Sequence, residues 1–269
     1  MILSVLHVTT YRYDTPVRGV VQSHRLTPSS FEGQKVLRWS VEVEGGLPGG
    51  GYRDGAGDWV QSHSVRGPVS EITVRVSGDV ETRDMAGVLR GHREHVPPEA
   101  YLRETVATAA DVALRDLGQA AVTGARDPLD AAHRLAAAVS EAVAYVPGAT
   151  HAHTTAAEAL ARAEGVCQDH AHILIAAARS QAIPARYVSG YLLAADAIPH
   201  EAAHAWAELW VPGLGWVGFD PANRCCPDER FIRLGSGDDA RDAAPIKGIA
   251  RGPGSESLDV TVAIQSVQQ

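Results

Sequence analysis

The sequence predicts an α+β fold, in which a β-rich region of residues 1–92 precedes a region of helices and strands, residues 93–269. Three observations support this prediction. Apolar residues recur at every second position in the first region, alanine-rich segments with helical spacing follow Pro97 and Pro98, and alternating patterns return near Tyr187. We therefore expect two domains, the second with helices packed on an antiparallel sheet.

Two segments of the β-rich region alternate apolar and polar residues. They run from Leu37 to Val43 and from Ile72 to Val76, and each pattern predicts a strand with one buried face. The glycine-rich stretch from Gly45 to Gly57 lies between them and predicts turns, because glycine adopts positive φ at little cost. An antiparallel, sandwich-like unit is the expected result.

Start signals define the helices of the second region. Asp127 before Pro128 is typical of an N-cap and a first helical residue, so we expect a helix running toward Tyr145. The segment Thr155–Glu158 has the spacing of a capping box, which predicts a short helix that ends before Gly165.

A further helix is predicted to begin at Cys167. Apolar residues recur from it at helical intervals, at Ala171, Leu174, Ile175 and Ala178. A helix N-terminus offers unpaired N–H groups and a positive dipole end, which favour a thiolate and can also bind an oxyanion. Gly165 would let the chain turn into this helix and let a substrate approach.

The strands that follow carry a histidine and an aspartate. We predict strands over Tyr187–Leu193, His204–Val211 and Trp216–Asp220, a final strand over Ser257–Ile264, and loops over residues 238–244 and 248–254.

The distance between His204 and Asp220 depends on how the predicted hairpin closes. A five-residue connection, Val211–Gly215, would place them on one face, roughly 7–8 Å apart at the backbone. A four-residue connection beginning at Pro212 would place them on opposite faces. The sequence alone does not decide between these two strand registers.

Cys167, His204 and Asp220 are the candidate catalytic residues. A thiolate is the nucleophile in such a triad, an imidazole takes and returns the proton, and a carboxylate fixes the imidazole and stabilises its charged form. The same three types of side chain, taken singly, are more often a buried apolar thiol, a structural histidine and a turn-capping aspartate.

The motifs around these residues resemble the bacterial transglutaminase-like superfamily, whose members include cysteine proteases with a transglutaminase-like N-terminal region. The resemblance lies in the segments Gly165–Asp169, Ile183–Tyr191, His204–Trp206, Gly215–Pro221 and His7–Val17. It implies a papain-like transglutaminase core after the N-terminal β-sandwich-like region. Nearly the whole chain is covered.

The resemblance also implies an activity. The family's cysteine, histidine and aspartate map onto Cys167, His204 and Asp220. Such a site attacks peptide or glutamine carboxamide bonds through a thioester, with no cofactor. Hydrolysis of a peptide or protein substrate ranks first, and glutamine deamidation or transamidation are the alternatives.

Four positions depart from the family's pattern. His170 stands where an aromatic residue is usual, Ala56 and Asp58 stand within a segment that usually reads Phe-Gly-Asn, and Ala240 replaces a tyrosine. None is a triad position, so these departures bear on substrate preference more than on the mechanism.

Composition excludes several classes of protein. The formal charge is −8 and the basic residues are dispersed, which disfavours a nucleic-acid partner. No apolar run reaches the ~20 residues of a membrane span, and Met1–His7 lacks a positive n-region, so we expect a cytoplasmic protein without a membrane partner. The adjacent Cys225 and Cys226 are expected to be free thiols.

Two other classes of protein remain as alternatives. One is an inactive scaffold or peptide-binding module that keeps the fold. The other is a zinc protein, but no Cys-x-x-Cys pair is present, so we expect no metal site. The histidine pairs that raise the zinc hypothesis are His170 with His172, His151 with His153, and His200 with His204.

Overall fold

The computed structural model describes residues 1–193 and 203–267. Within these ranges an antiparallel sheet of six strands lies beside a helical domain built on an antiparallel sheet of four strands, which confirms the α+β prediction. No helix in the described part of the chain has the length and apolar character needed to cross a membrane.

The strands are β1 (Ile2–His24), β2 (Gln34–Val43), β3 (Gly46–Arg53), β4 (Trp59–Thr82), β5 (Ala144–Tyr145), β6 (Glu164–Gly165), β7 (Ala185–Leu192), β8 (Ala203–Val211), β9 (Gly215–Phe219), β10 (Phe231–Gly237), β11 (Ile246–Ala250) and β12 (Glu256–Ser266). The helices are α1 (Val112–Val122), α2 (Pro128–Ala142), α3 (Ala156–Arg162) and α4 (Cys167–Ser180), with a short 3-10 helix at Pro98–Leu102.

The N-terminal sheet is built on the two long strands β1 and β4. They pair with each other, β2 and β3 pair with β4, and β11 and β12 pair with β1. The β1–β4 register shifts between Arg12 and Gly19, where the strands bend. Ile72 from one half of β4 and Val65 from the other belong to one apolar cluster, so both halves of the strand contribute to one core.

The glycine-rich segment differs from the sequence prediction. Turns were expected from Gly45 to Gly57, but residues 46–53 form β3 against β4. A Cβ atom at Gly51 would lie 2.5 Å from the ring of Trp59, and one at Gly49 would lie 2.3 Å from the Oγ atom of Ser62. These glycines therefore allow close approach to β4.

The prediction that Leu37–Val43 forms a strand with one buried face is also only partly correct. The β2–β4 register shifts between Val36 and Arg38, so Leu37 is an extra residue in a bulge. Its side chain is 46% exposed, whereas Val41 packs on the apolar cluster. The Ile72–Val76 pattern is confirmed, since its apolar residues are buried.

The end of the chain completes the N-terminal sheet. The predicted final strand, Ser257–Ile264, lies within β12, but residues 248–250 belong to β11 and not to a loop. Both strands pair with β1, although the sequence prediction grouped residues 93–269 in the second domain. The boundary between residues 92 and 93 stays a prediction.

Helix α4 lies at the centre of the second domain. It packs on β7 and β8 of the small sheet, whose order is β10-β7-β8-β9, and α1, α2 and α3 surround it. The predicted starts are confirmed, because the side chain of Asp127 caps α2 and Thr155 forms a capping box with Glu158. The helix that begins at Cys167 packs its buried residues into the largest apolar cluster described.

A buried charge network joins the two sheets. Arg233 of β10 pairs with Asp58 from the N-terminal region at 2.7 Å and with Glu208 of β8 at 2.8 Å, and Arg186 of β7 pairs with Glu208 at 2.7 Å. Burial alone raises the pKa of Glu208, but Arg233 and Arg186 lower it to about 2. The aspartate at position 58, one of the departures from the family's pattern, thus has a structural partner.

Candidate active site

The residues around Cys167 build the start of α4. The N–H of Val166 donates to Oδ2 of Asp169 at 2.8 Å, and Oγ1 of Thr150 donates to the same oxygen at 2.5 Å. The Asp169 side chain folds back over Gly165, where a Cβ atom would lie 2.7 Å from the Cβ atom of Asp169. Glycine at this position therefore leaves room for the Asp169 side chain at the start of the helix.

The first N–H groups of α4 have no partner within the helix. Among the described residues, no hydrogen bond occupies the backbone N–H of Cys167 or Gln168. The Cys167 side chain itself is partly exposed. An incoming carbonyl oxygen can thus find both a nucleophile and free N–H donors at one helix end.

His204 and Asp220 come together through the β8–β9 hairpin. Trp210 pairs with Trp216, the register expected for the five-residue connection, and the other register is excluded. Nε2 of His204 lies 2.6 Å from Oδ2 of Asp220. Asp220 follows the last residue of β9, and its side chain is 1% exposed.

The electrostatics of His204 favour its protonated form. Burial lowers its pKa, but hydrogen bonds to Asp220 and to Cys167, together with their charges, raise the pKa of His204 to about 10. Because Nε2 faces Asp220, Nδ1 is the ring nitrogen available to Cys167. The contact with Asp220 thus favours the imidazolium form of His204.

Aromatic rings hold the imidazole of His204 in place. The ring of Trp206 stacks on it with an interplanar angle of 25° and a centroid distance of 6.4 Å, and Phe231 lies edge-on at 5.9 Å. Gly190 makes room for Trp206, because a Cβ atom there would lie 2.6 Å from its indole ring. The histidine is thus restricted to few orientations.

Asn223 is a residue of the site that sequence analysis missed. Its Nδ2 lies 2.7 Å from Oδ2 of Asp220 and 3.3 Å from Nε2 of His204. The available signal is the Asp-Pro-x-Asn order from Asp220 to Asn223, because an aspartate at the start of a turn accepts hydrogen bonds from residues shortly after it.

The histidines near Cys167 have structural partners. The ring nitrogens of His170 lie 3.0 and 3.1 Å from the carbonyl oxygens of Val166 and Val143, and Nε2 of His172 accepts the N–H of Ala240 at 3.0 Å. Burial lowers the pKa of His172 to about 4. These contacts account for the histidine at position 170.

A metal site finds no support in the described part of the chain. No group of three or more His, Cys, Asp or Glu side chains suited to a metal ion occurs among residues 1–193 and 203–267. His200, a member of one histidine pair considered above, lies outside the described residues.

Cys225 and Cys226 differ from Cys167 in their surroundings. Both are free and partly buried, and Cys225 exchanges two backbone hydrogen bonds with Asp220. Burial, with the charge of Asp220, raises the pKa of Cys225 to about 12, and burial raises the pKa of Cys226. Both are therefore neutral, weakly nucleophilic thiols near pH 7.

A helix that begins at a cysteine, beside an antiparallel hairpin that carries a histidine and an aspartate, defines a transglutaminase-like core. The description "Transglutaminase-like superfamily" matches residues 115–221, and "Bacterial transglutaminase-like N-terminal region" matches residues 3–81. The chain belongs to the transglutaminase-like superfamily, in the bacterial form that carries this N-terminal region.

Relatives and a solved structure match this chain along nearly its whole length. An uncharacterized protein of Mycobacterium leprae is 33% identical over 281 residues, covering 97% of this chain and 98% of its own. One of Mycobacterium tuberculosis is 29% identical over 285 residues, covering 96% and 90%. The crystal structure of a "putative cysteine protease" from Cytophaga hutchinsonii matches with a TM-score of 0.75 at 20% identity, over 100% of this chain and 92% of that one, which shows the shared fold.

Proposed function

We propose that this protein is a cysteine-dependent amide hydrolase that acts on peptide or glutamine carboxamide bonds. Cys167 is the nucleophile, His204 carries the proton, and Asp220 fixes the imidazole. The observation that supports this most strongly is the 2.6 Å contact between His204 and Asp220, together with the interaction with Cys167 that helps to raise the pKa of His204. The start of α4 supplies the free N–H groups that such chemistry needs.

In the first half of the reaction the Cys167 sulfur attacks the amide carbonyl carbon. The C–S bond forms as the carbonyl π electrons move to oxygen, and the N–H of Cys167 stabilises the resulting oxyanion. When the carbonyl re-forms, the C–N bond breaks and His204 gives its Nδ1 proton to the departing nitrogen. An amine or ammonia leaves, and a thioester on Cys167 remains.

In the second half a nucleophile resolves the thioester. His204, now neutral, accepts a proton from water as the water oxygen bonds to the carbonyl carbon. The C–S bond then breaks, and the thiolate beside the imidazolium is restored. Water on a peptide or glutamine acyl group gives hydrolysis or deamidation, whereas an amine in place of water gives transamidation.

Mass spectrometry of a peptide library incubated with the protein tests this proposal. We expect cleaved peptides or glutamine peptides heavier by one dalton, and we expect Cys167→Ala to remove them. Cys226→Ala is the matched control, because Cys226 is a partly buried free thiol outside the proposed triad. A second incubation with a primary amine distinguishes transamidation through the amine adduct.

The rival hypothesis is a peptide-binding module without catalysis. It requires that peptides bind equally to wild type and Cys167→Ala and emerge unchanged from both. Unchanged peptides with bound protein would therefore favour the binding module over the hydrolase.

A further inference from the structure

Asn223 contacts Asp220 through two separate donors. Its backbone N–H donates to Oδ1 of Asp220 at 3.2 Å, and its side-chain Nδ2 donates to Oδ2 at 2.7 Å. Both oxygens of one carboxylate are therefore held by one residue, which leaves the Asp220 side chain little rotational freedom.

The oxygen that Asn223 holds is also the one that faces His204. Oδ2 of Asp220 accepts from Nε2 of His204 at 2.6 Å and from Nδ2 of Asn223 at 2.7 Å. The amide nitrogen lies only 3.3 Å from Nε2. Two donors thus share one acceptor, and the positive end of the Asn223 amide faces the position that carries charge in the imidazolium.

The backbone of the turn fixes this arrangement. Asp220 and Cys225 exchange hydrogen bonds of 2.8 and 3.2 Å, which close a four-residue turn over residues 221–224. Arg224 adopts a left-handed conformation with φ of 53°, the conformation that ends the turn. Asn223, an exposed residue, is consequently held beside the His204–Asp220 pair.

We infer that Asn223 is a positioning residue of this site: it fixes the carboxylate of Asp220 and limits how strongly that carboxylate holds the imidazolium of His204. The chemical use of this effect rests on the proposed function, since a histidine held too firmly in its charged form donates its proton poorly to a leaving nitrogen. The contacts themselves rest on geometry alone.

The other groups around His204 stay the same when Asn223 is changed. Among the described residues, the titratable groups that face the imidazole are Cys167 from α4 and Asp220 beyond β9. The rings of Trp206 and Phe231 cover its other sides and carry no charge. A change in the protonation of His204 on substitution of Asn223 alone can therefore be assigned to the lost amide.

Asn223→Leu is the most direct variant, because leucine has nearly the shape of asparagine but cannot donate a hydrogen bond. The protonation of His204 is followed by NMR of protein labelled with ¹³C-histidine, from neutral pH to beyond the pKa of about 10. We expect the half-protonation pH of His204 to rise by about one unit in Asn223→Leu. We expect a smaller rise in Asn223→Ala, because water replaces the lost donor there.

Arg224→Ala is the matched control, since Arg224 is exposed in the same turn and its guanidinium lies 3.5 Å from the carbonyl of Ser140, away from His204. Its His204 titration is expected to match wild type. An unchanged or lowered half-protonation pH in both Asn223 variants would overturn the inference, even where thermal unfolding is normal.

Failure of the proposed function has a different signature. Alkylation of wild-type protein by iodoacetamide would then label Cys167 no faster than Cys225 or Cys226, whatever the Asn223 variants do to His204. If wild-type Cys167 is labelled rapidly but the half-protonation pH of His204 is unchanged in the Asn223 variants, the hydrolase proposal stands. The role inferred for Asn223 is then wrong.

Discussion

Nε2 of His204 lies 2.6 Å from Oδ2 of Asp220, and this contact depends on the register of a single hairpin. Trp210 pairs with Trp216 in that hairpin, so His204 and Asp220 share a face. A shift by one residue would send one of the two side chains to the opposite face of the sheet. The candidate site is thus built on the β8–β9 pairing as much as on its three chemical groups.

Asp220→Asn is expected to destabilise the protein mainly at neutral pH and below. The folded-state pKa of His204, about 10, is raised above its ordinary 6.5, so its stabilising contribution is full below pH 6.5 and lost as pH rises through 10. Below pH 6.5 we expect Asp220→Asn to lower the free energy of unfolding in urea by about 2 kcal/mol. The difference from wild type should shrink as pH rises toward 10. Asp228→Asn, beside exposed Arg230, is the control. If Asp220→Asn lost the same unfolding free energy at every pH, the proposed link between stability and the protonation of His204 would be contradicted.

The stacked pair of His24 and His63 is expected to make the N-terminal sheet sensitive to acid. The rings lie 4.6 Å apart, and burial, with the neighbouring His63, lowers the pKa of His24 to about 4. Stability is therefore lost as pH falls from 6.5 toward 4. Phenylalanine keeps the stacked ring but does not titrate. Between pH 6.5 and 4 we therefore expect His63→Phe to lose about 1–2 kcal/mol less of its free energy of unfolding than wild type loses.

His153→Gln is the control for the acid experiment, since His153 is exposed. Chemical unfolding at several acidic pH values measures both variants. Equal losses in His63→Phe and wild type would show that the stacked pair does not set the acid sensitivity.

Asp58→Asn is expected to cost about 3 kcal/mol of unfolding free energy, because it leaves Arg233 buried with one charged partner fewer. Both side chains of the Asp58–Arg233 pair are almost completely buried. Glu71→Gln breaks the exposed pair with Arg12 and should cost less than about 1 kcal/mol. Similar small losses in both variants would show that the buried network does not hold the two sheets together.

Gly165→Ala is expected to destabilise the protein by about 1–3 kcal/mol and to slow alkylation of Cys167, because the new Cβ atom would collide with the Asp169 side chain. Gly50→Ala is the control, since nothing lies within 4 Å of a Cβ atom there. Thermal unfolding and the labelling rate are measured on both. Wild-type behaviour of Gly165→Ala would contradict the role given to the Asp169 hydrogen bonds.

Features set by neighbouring residues could be predicted from the sequence. The cap at Asp127 and the start of α4 at Cys167 depend on side chains within a few positions of the backbone groups they satisfy. The residues Cys167, His204 and Asp220 could be named because the motifs around them resemble a family. Their catalytic role stays a proposal.

Features set by distant residues could not be predicted in this way. The bulge that exposes Leu37 and the strand formed by residues 46–53 are decided by pairing with β4. β11 joins β1 from the other end of the chain. Asn223 became visible only when the turn after Asp220 was seen to bring its amide against the carboxylate.

The rate of alkylation of each cysteine at neutral pH tests the central claim most directly, namely that Cys167 is an activated nucleophile. Iodoacetamide labelling is followed by mass spectrometry in wild type and in His204→Ala. We expect wild-type Cys167 to react at least about tenfold faster than Cys225 and Cys226, whose burial raises their pKa values, and we expect His204→Ala to remove that advantage. Equal rates for the three thiols, unaffected by His204→Ala, would contradict it.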